Sequence, residues 1–180
     1  MGLFQKMHKY ILKRSNRKTV SLKIDKDLNV VVSAPMFLNR SKIDDFVLKH
    51  SAWIDEKREV ISNRQKTISA LSDEKITQLK ELAATVLPKR VEHYSQIMGV
   101  KPTSIKITSA KKRFGSCSGK NGLCFSYLLM LYPDDAVDYV VVHELAHIKH
   151  HNHSQQFYLF VKQILPDYKE REKILKKGVI

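Results

Sequence analysis

An eleven-residue window, His143-Glu144-Leu145-Ala146-His147-Ile148-Lys149-His150-His151-Asn152-His153, holds five of the chain's eight histidines and constrains its fold and chemistry more than any other stretch. Pro133-Asp134-Asp135 before it makes a helix start with acidic residues in the first turn. Val137, Val141, Leu145 and Ile148 then predict an apolar stripe opposite the histidines. On such a helix His143 and His147 are four residues apart, so both imidazoles leave one face about 6 Å apart along the axis and can share a metal ion. This is the HExxH pattern of zinc sites. Glu144 lies about 100° around the helix from His143. That angle suits a residue holding a water at the metal's open position rather than a ligand, which makes Glu144 the candidate general base.

A third protein ligand is required, and helix geometry sorts the candidates. His150 lies near the right angle but roughly 10 Å up the axis from His143, so in a continuing helix it overshoots the metal. His153 reaches it only if the helix stops first. Asn152 is one of the few residues besides glycine that readily takes a left-handed conformation, and with His150 and His151 it is expected to fold the chain back. The expected metal ligands are therefore His143, His147 and His153. Their spacing is that of the metzincin signature, but His150 stands where that signature has glycine.

A chain of 180 residues with 43% hydrophobic residues can build one domain, at most with a small N-terminal lobe. Residues 1–10 lack the apolar core of a signal peptide, and no later run approaches a membrane span, so the expected location is the cytoplasm. Cys117 and Cys124 are too few for a disulfide framework, in keeping with a reducing compartment. The net charge of +14 would attract polyanions or anionic substrates at low salt. Positive residues are spread along the whole chain, including Lys13-Arg14, Lys111-Lys112-Arg113 and Lys173, Lys176 and Lys177, which suits a generally basic surface as well as a nucleotide or nucleic-acid face.

Val20, Leu22 and Ile24 alternate with polar residues, and Val30-Val31-Val32 follows a polar turn, so a half-buried hairpin is predicted. Ser41 with Asp44 reads as a capping box for one helix carrying Ile43, Phe46, Val47, Trp53, Ile54 and Ile61, with Trp53 in the core. Residues 62–70 are the plausible hinge, dividing an N-terminal hairpin-and-helix lobe (1–66) from a catalytic region (67–180). Ser72 caps a long helix ending at Gly99, which Pro88 should kink or split. A short strand through Ile105 and Ile107 precedes a hairpin turning at Gly119-Lys120-Asn121-Gly122, which would set Cys117 and Cys124 facing each other. Ser154 caps a helix with Phe157, Phe160, Val161 and Ile164, and a last helix starts at Asp167 and ends at Gly178. This order of elements predicts an α+β fold.

Several separated blocks resemble one family. Arg17-Lys18-Thr19-Val20-Ser21-Leu22 with Ala34-Pro35, then Arg113-Phe114-Gly115-Ser116-Cys117-Ser118, then the run from Asp138 to His147 with Asn152-His153-Ser154 and Phe157, together resemble the YgjP-like metallopeptidases, a zincin group distantly similar to the SprT-like proteases. Phe114 stands where the family usually has Trp, and Ser126 where Asn is common. The resemblance implies a zincin-like metalloprotease fold with an N-terminal hairpin lobe and C-terminal helices carrying the metal site. It implies one zinc on His143, His147 and His153, and Glu144 as the catalytic residue. The expected function is zinc-dependent peptide hydrolysis, with Arg113 beside the metal as a substrate or oxyanion contact.

Two other functions remain open from the sequence. One is metal-dependent pyrophosphohydrolysis of nucleoside triphosphates, with Lys111, Lys112 and Arg113 on the phosphates; it fits the charge, but the chain has no glycine-rich phosphate loop and no carboxylate cluster for magnesium. The other is a DNA-associated SprT-like protease. The expected partner is a peptide or protein substrate, with a nucleotide or nucleic acid as the anionic alternative and no membrane; the sequence assigns no oligomeric state.

Overall fold

The structure is a computed structural model that describes residues 7–178. Residues 1–6, which carry part of the signal-peptide reading, lie outside the described residues. The chain forms two compact units, residues 1–69 and 70–180.

The first unit is built on strand β3 (Val30–Pro35), with β2 (Ser21–Ile24) antiparallel on one side and β1 (Tyr10–Ser15) parallel on the other. Val30, Val31, Val32 and Ala34 are all buried, as a central strand covered on both faces requires. The predicted hairpin is β2–β3. β1 was not foreseen, because a parallel pairing leaves no turn signal between its strands in the sequence.

Two helices follow where one was expected. α1 (Arg40–Lys49) is capped by Asn39, whose side chain accepts from the Ser41 backbone N–H at 2.9 Å, so the cap lies two residues before the expected Ser41. α2 runs Ser51–Ser69 and takes in nearly all of the expected hinge. The break at His50 resets the helical phase. Ile43, Val47 and Ile54 pack with Val30, Val32 and Ala34, while Trp53 is 40% exposed rather than in the core. The single stripe from Ile43 to Ile61 assumed an unbroken helix.

In the second unit α3 (Asp73–Met98) starts at Ser72, whose hydroxyl accepts from the Lys75 N–H at 3.2 Å, and ends at Gly99 in the left-handed conformation (φ 60°). Pro88 lies inside this one continuous helix and does not split it. A proline removes only one ladder bond, and buried Leu87 and Val91 hold the turn in place. The sheet has β6 (Gly122–Ser126) at its centre, β4 (Ser104–Thr108) parallel to it and β5 (Gly115–Cys117) antiparallel at the other edge.

The β5–β6 register pairs Cys117 with Leu123 and Cys124 with Ser116, so the two cysteines are not opposite each other. The Ser118 N–H bonds the Gly122 carbonyl at 2.9 Å, which leaves a three-residue loop with Asn121 at φ 60°. A three-residue loop commonly carries one left-handed residue in this way, and the four-residue reading misplaced the register.

A 3-10 helix (Tyr127–Leu131) leads into α4 (Asp134–Ala146), then α5 (Gln155–Ile164) and α6 (Tyr168–Lys177). α4 packs against α3, α5, α6 and β5. Covered from several directions, it buries Ala136, Val137, Tyr139 to Val142 and Glu144 to Ala146, and is far from the one-striped helix that its periodicity predicted. Its first turn is tied by charge. Arg90 of α3 bonds Asp138 and reaches Asp134 at 2.7 Å, while Arg171 of α6 reaches Asp135 at 2.9 Å and Asp138 at 3.8 Å. Among the described residues no helix is long and apolar enough to cross a membrane.

Asp138, 17% exposed, stands between the two guanidinium groups. Asp138→Ala is expected to lower the unfolding free energy by about 2–3 kcal/mol, the cost of removing a charged hydrogen-bond partner from a mostly buried site. Urea unfolding of the two proteins measures it, and a change under about 0.5 kcal/mol, the usual range for surface substitutions, would make the network incidental.

Candidate active site

α4 delivers His143 and Glu144 in its last turn and stops at Ala146, with His147 as its C-cap. The chain then turns through bonds from the Lys149 and His150 N–H groups to the Ala146 carbonyl, at 3.2 and 3.0 Å. No left-handed residue is involved. The only described non-glycine residues with positive φ are Leu28 and Asn121, so the reversal expected at Asn152 starts earlier and by another route. Lys149 anchors the turn, its Nζ donating to the Met98 carbonyl at the end of α3 at 2.9 Å and lying 4.7 Å from the centre of the Phe160 ring. Ser154 caps α5 directly after His153.

The helix end, the turn and the cap bring His143, His147 and His153 together. One ring nitrogen from each lies within 4.8 Å of the others. The His143 and His153 Nε2 atoms are 3.0 Å apart, close enough that a shared proton or a shared cation is needed between them. His147 Nδ1 is 3.0 Å from the His150 carbonyl, which fixes that nitrogen as the donor and leaves Nε2 with a free lone pair. His143 Nδ1 is buried with no hydrogen-bond partner. His150, the rejected candidate, is turned away, its ring against Phe160 at 5.7 Å.

Beneath the three imidazoles lies the fully buried ring of Phe157, at centroid distances of 4.9 Å from His143, 4.6 Å from His147 and 4.9 Å from His153. Burial, followed by the neighbouring His147 and His153, lowers the His143 pKa to about 3, and burial lowers that of His147 as well. Both rings are therefore neutral near pH 7, the state in which imidazole binds a metal. Ring nitrogens of His143, His147 and His153 converging on one point are a donor set that fits zinc.

Glu144 is 7% exposed. Burial pushes its carboxyl up to about 7, against the pull of the Arg113 charge and of a hydrogen bond from the Cys117 backbone N–H. β5 passes so close that a Cβ on Gly115 would fall 2.6 Å from both Cγ and Oε1 of Glu144. Glycine is needed there for space. Arg113, Gly115, Cys117, His143, Glu144, His147, His151 and His153 share the walls of one open cleft of about 640 Å³, so all five residues singled out from the sequence meet in one place. The cleft also contains Cys117, whose thiol is pushed up by burial and by Glu144. Cys124 opens instead onto a smaller cavity. Ser126 is buried, donating to the Ala110 carbonyl at 2.7 Å and accepting from the Leu128 N–H at 3.3 Å, so its hydroxyl serves the turn after β6.

Residues 18–79 and 69–178 match the family described as YgjP-like, metallopeptidase domain. The chain belongs to the YgjP-like metallopeptidases. As a member of that family it is a hydrolase of the metallopeptidase type with a mixed α+β fold. Among solved structures it is similar to the metallopeptidase zymogen of Pyrococcus abyssi abylysin, at 23% identity over 53% of this chain and 100% of that one, with a TM-score of 0.47. It is also similar to the metallopeptidase zymogen of Methanocaldococcus jannaschii jannalysin, at 23% identity over 51% and 95% of the two chains and a TM-score of 0.45. No curated protein matches it.

The sequence reading of this YgjP-like site did not foresee the parts played by Gly115, Lys149, the His150 carbonyl or Phe157. Only Gly115 and Phe157 lay in blocks that the family resemblance had marked, and nothing in their spacing indicated a role. Phe157→Ala is expected to cost about 3–5 kcal/mol of stability by opening a cavity under the histidines. Gly115→Ala should leave the fold largely in place but displace the Glu144 side chain. A crystal structure of that variant with Glu144 unmoved would show that the close approach is not restrictive.

Proposed function

We propose that this YgjP-like protein is a zinc-dependent peptidase in which His143, His147 and His153 hold one zinc ion per chain and Glu144 is the general base. One observation carries the reading: three imidazoles and one buried carboxyl group converge on the same cleft. Zinc at the three nitrogens would supply Lewis acidity to the scissile carbonyl and bring the pKa of water at its open position toward 7. Glu144 takes the proton of the attacking water on its carboxylate and gives it to the leaving amine nitrogen, turning amide cleavage into release of a free amine. Burial favours this exchange, because it holds the carboxyl near the operating pH instead of at the ordinary carboxylate value.

β5 suits a peptide substrate. It is an edge strand, and its register with β6 turns the backbone groups of Ser116 inward to the sheet and those of Gly115 and Cys117 outward. The outward Cys117 N–H is used by Glu144. The Gly115 N–H and C=O and the Cys117 C=O remain to pair with an extended chain laid along the cleft. Arg113 on the cleft wall would contact the developing oxyanion or a substrate carboxylate. Among the described residues it is the one lysine or arginine that lines the cleft, since Lys111 and Lys112 do not, which leaves little to hold a triphosphate.

Purified protein, Glu144→Gln and His153→Ala would be compared for zinc content and for hydrolysis of casein and of nucleoside triphosphates. Glu144→Gln should keep about one zinc and lose at least about 100-fold in casein hydrolysis, the low end of a general base's contribution. His153→Ala should weaken zinc binding by more than the roughly 10–100-fold seen when an outer-shell partner is lost. Triphosphate consumption that Glu144→Gln abolishes, with casein left intact, would overturn the peptidase reading in favour of phosphoanhydride chemistry.

A further inference from the structure

Tyr158 follows Phe157 on α5 and stands at the edge of the histidine cluster, its ring 6.1 Å from that of His153. Its ring also stacks on Tyr168, the first residue of α6, at 6.0 Å, and Tyr168 stacks in turn on Tyr139 at 6.5 Å. From Tyr158 two hollows of about 500 Å³ and about 360 Å³ extend over α5 and α6, and they share Tyr158, Tyr168 and Lys169. These shared walls join them as a trough, and Tyr158 places it near His153.

The charged groups of its walls are Lys162, Lys169, Lys173 and Lys176 against Glu170 and Glu172. Glu170 is 3.9 Å from Lys173, and Glu172 is 2.7 Å from Lys176. Among the described residues Lys162 and Lys169 have no ion pair. The trough thus carries two uncompensated ammonium groups on a floor of tyrosine rings, next to the cluster where we place the metal.

We infer that this trough is a substrate subsite that receives an acidic segment of the polypeptide flanking the scissile bond, with Lys162 and Lys169 taking its carboxylates. The inference rests on the peptidase reading for its connection to the scissile bond. A nucleic-acid strand fits the same trough less well. Tyr168 already stacks with Tyr139 and Tyr158, and Glu170 and Glu172 on the walls would repel a continuous row of phosphates. Separate carboxylates on a peptide suit separate lysine point charges. Attraction between solvated charges also predicts that the preference weakens as salt rises.

Two matched fluorogenic peptides would test it, sharing one scissile bond and differing only in Glu against Gln at the flanking positions. At low salt the Glu peptide should be cleaved with about tenfold higher kcat/KM, two charge pairs at roughly 0.7 kcal/mol each. Lys162→Glu with Lys169→Glu should abolish or reverse that ratio. Equal kcat/KM for the two peptides would overturn the inference and leave the peptidase reading standing.

A second measurement does not depend on cleavage. Fluorescence anisotropy of the labelled Glu peptide should show tighter binding than the Gln peptide to Glu144→Gln, and the difference should vanish when both lysines are reversed. If that difference appears while no peptide is cut, the trough is an acidic-peptide site and the peptidase reading alone has failed. If the lysine reversals leave Glu-peptide binding unchanged, or if oligothymidylate binds more tightly than the peptide and depends on the same lysines, the subsite is not one for acidic peptide.

Discussion

The site depends on a helix that must be buried nearly all round and yet end in polar side chains. α4 is enclosed by α3, α5, α6 and β5, which desolvates whatever its last turn carries. That enclosure holds His143 neutral and keeps the Glu144 carboxyl near 7. The same pair on a surface helix would be ordinary, a protonatable histidine beside an ionised glutamate. The ionic ties at the other end of α4, through Arg90 and Arg171 to Asp134, Asp135 and Asp138, hold the helix where its neighbours can cover its C-terminal turn.

Around that turn each component removes a degree of freedom. The His150 carbonyl fixes which nitrogen of His147 carries the proton, and the Phe157 ring limits the tilt of all three imidazoles. Gly115 lets a strand come close enough to cover Glu144 and to offer it a backbone donor. A preorganised cluster of this kind resists side-chain reorganisation, and preorganised polar groups contribute most where water is excluded.

Much of this was legible from residue order. Periodicity and capping gave α3, α5 and α6 near their observed limits, and helix geometry alone put His143 and His147 on one face. The helices were misread where a short break reset the phase, as at His50, after which Ile54 still faces the core as expected but Trp53 turns outward. The Cys117 and Cys124 register failed on a turn one residue shorter than assumed. β1 and the Phe157 floor were invisible for a different reason. Both are contacts between segments that no local pattern connects, and a phenylalanine on an apolar stripe looks the same whether it packs against leucines or against three imidazoles.

The turn after α4 has a consequence for how this chain could vary. Five residues, Ile148 to Asn152, join His147 to His153, and their path is fixed at one end by bonds to the Ala146 carbonyl and at the other by the Ser154 cap of α5. One side chain in the stretch, Lys149, reaches back to the end of α3 and another, His151, lines the cleft, while His150 takes part through its backbone carbonyl. The segment therefore works as a spacer of set length. Its letters can be rewritten at several positions, but adding or removing one residue would change where the third imidazole arrives.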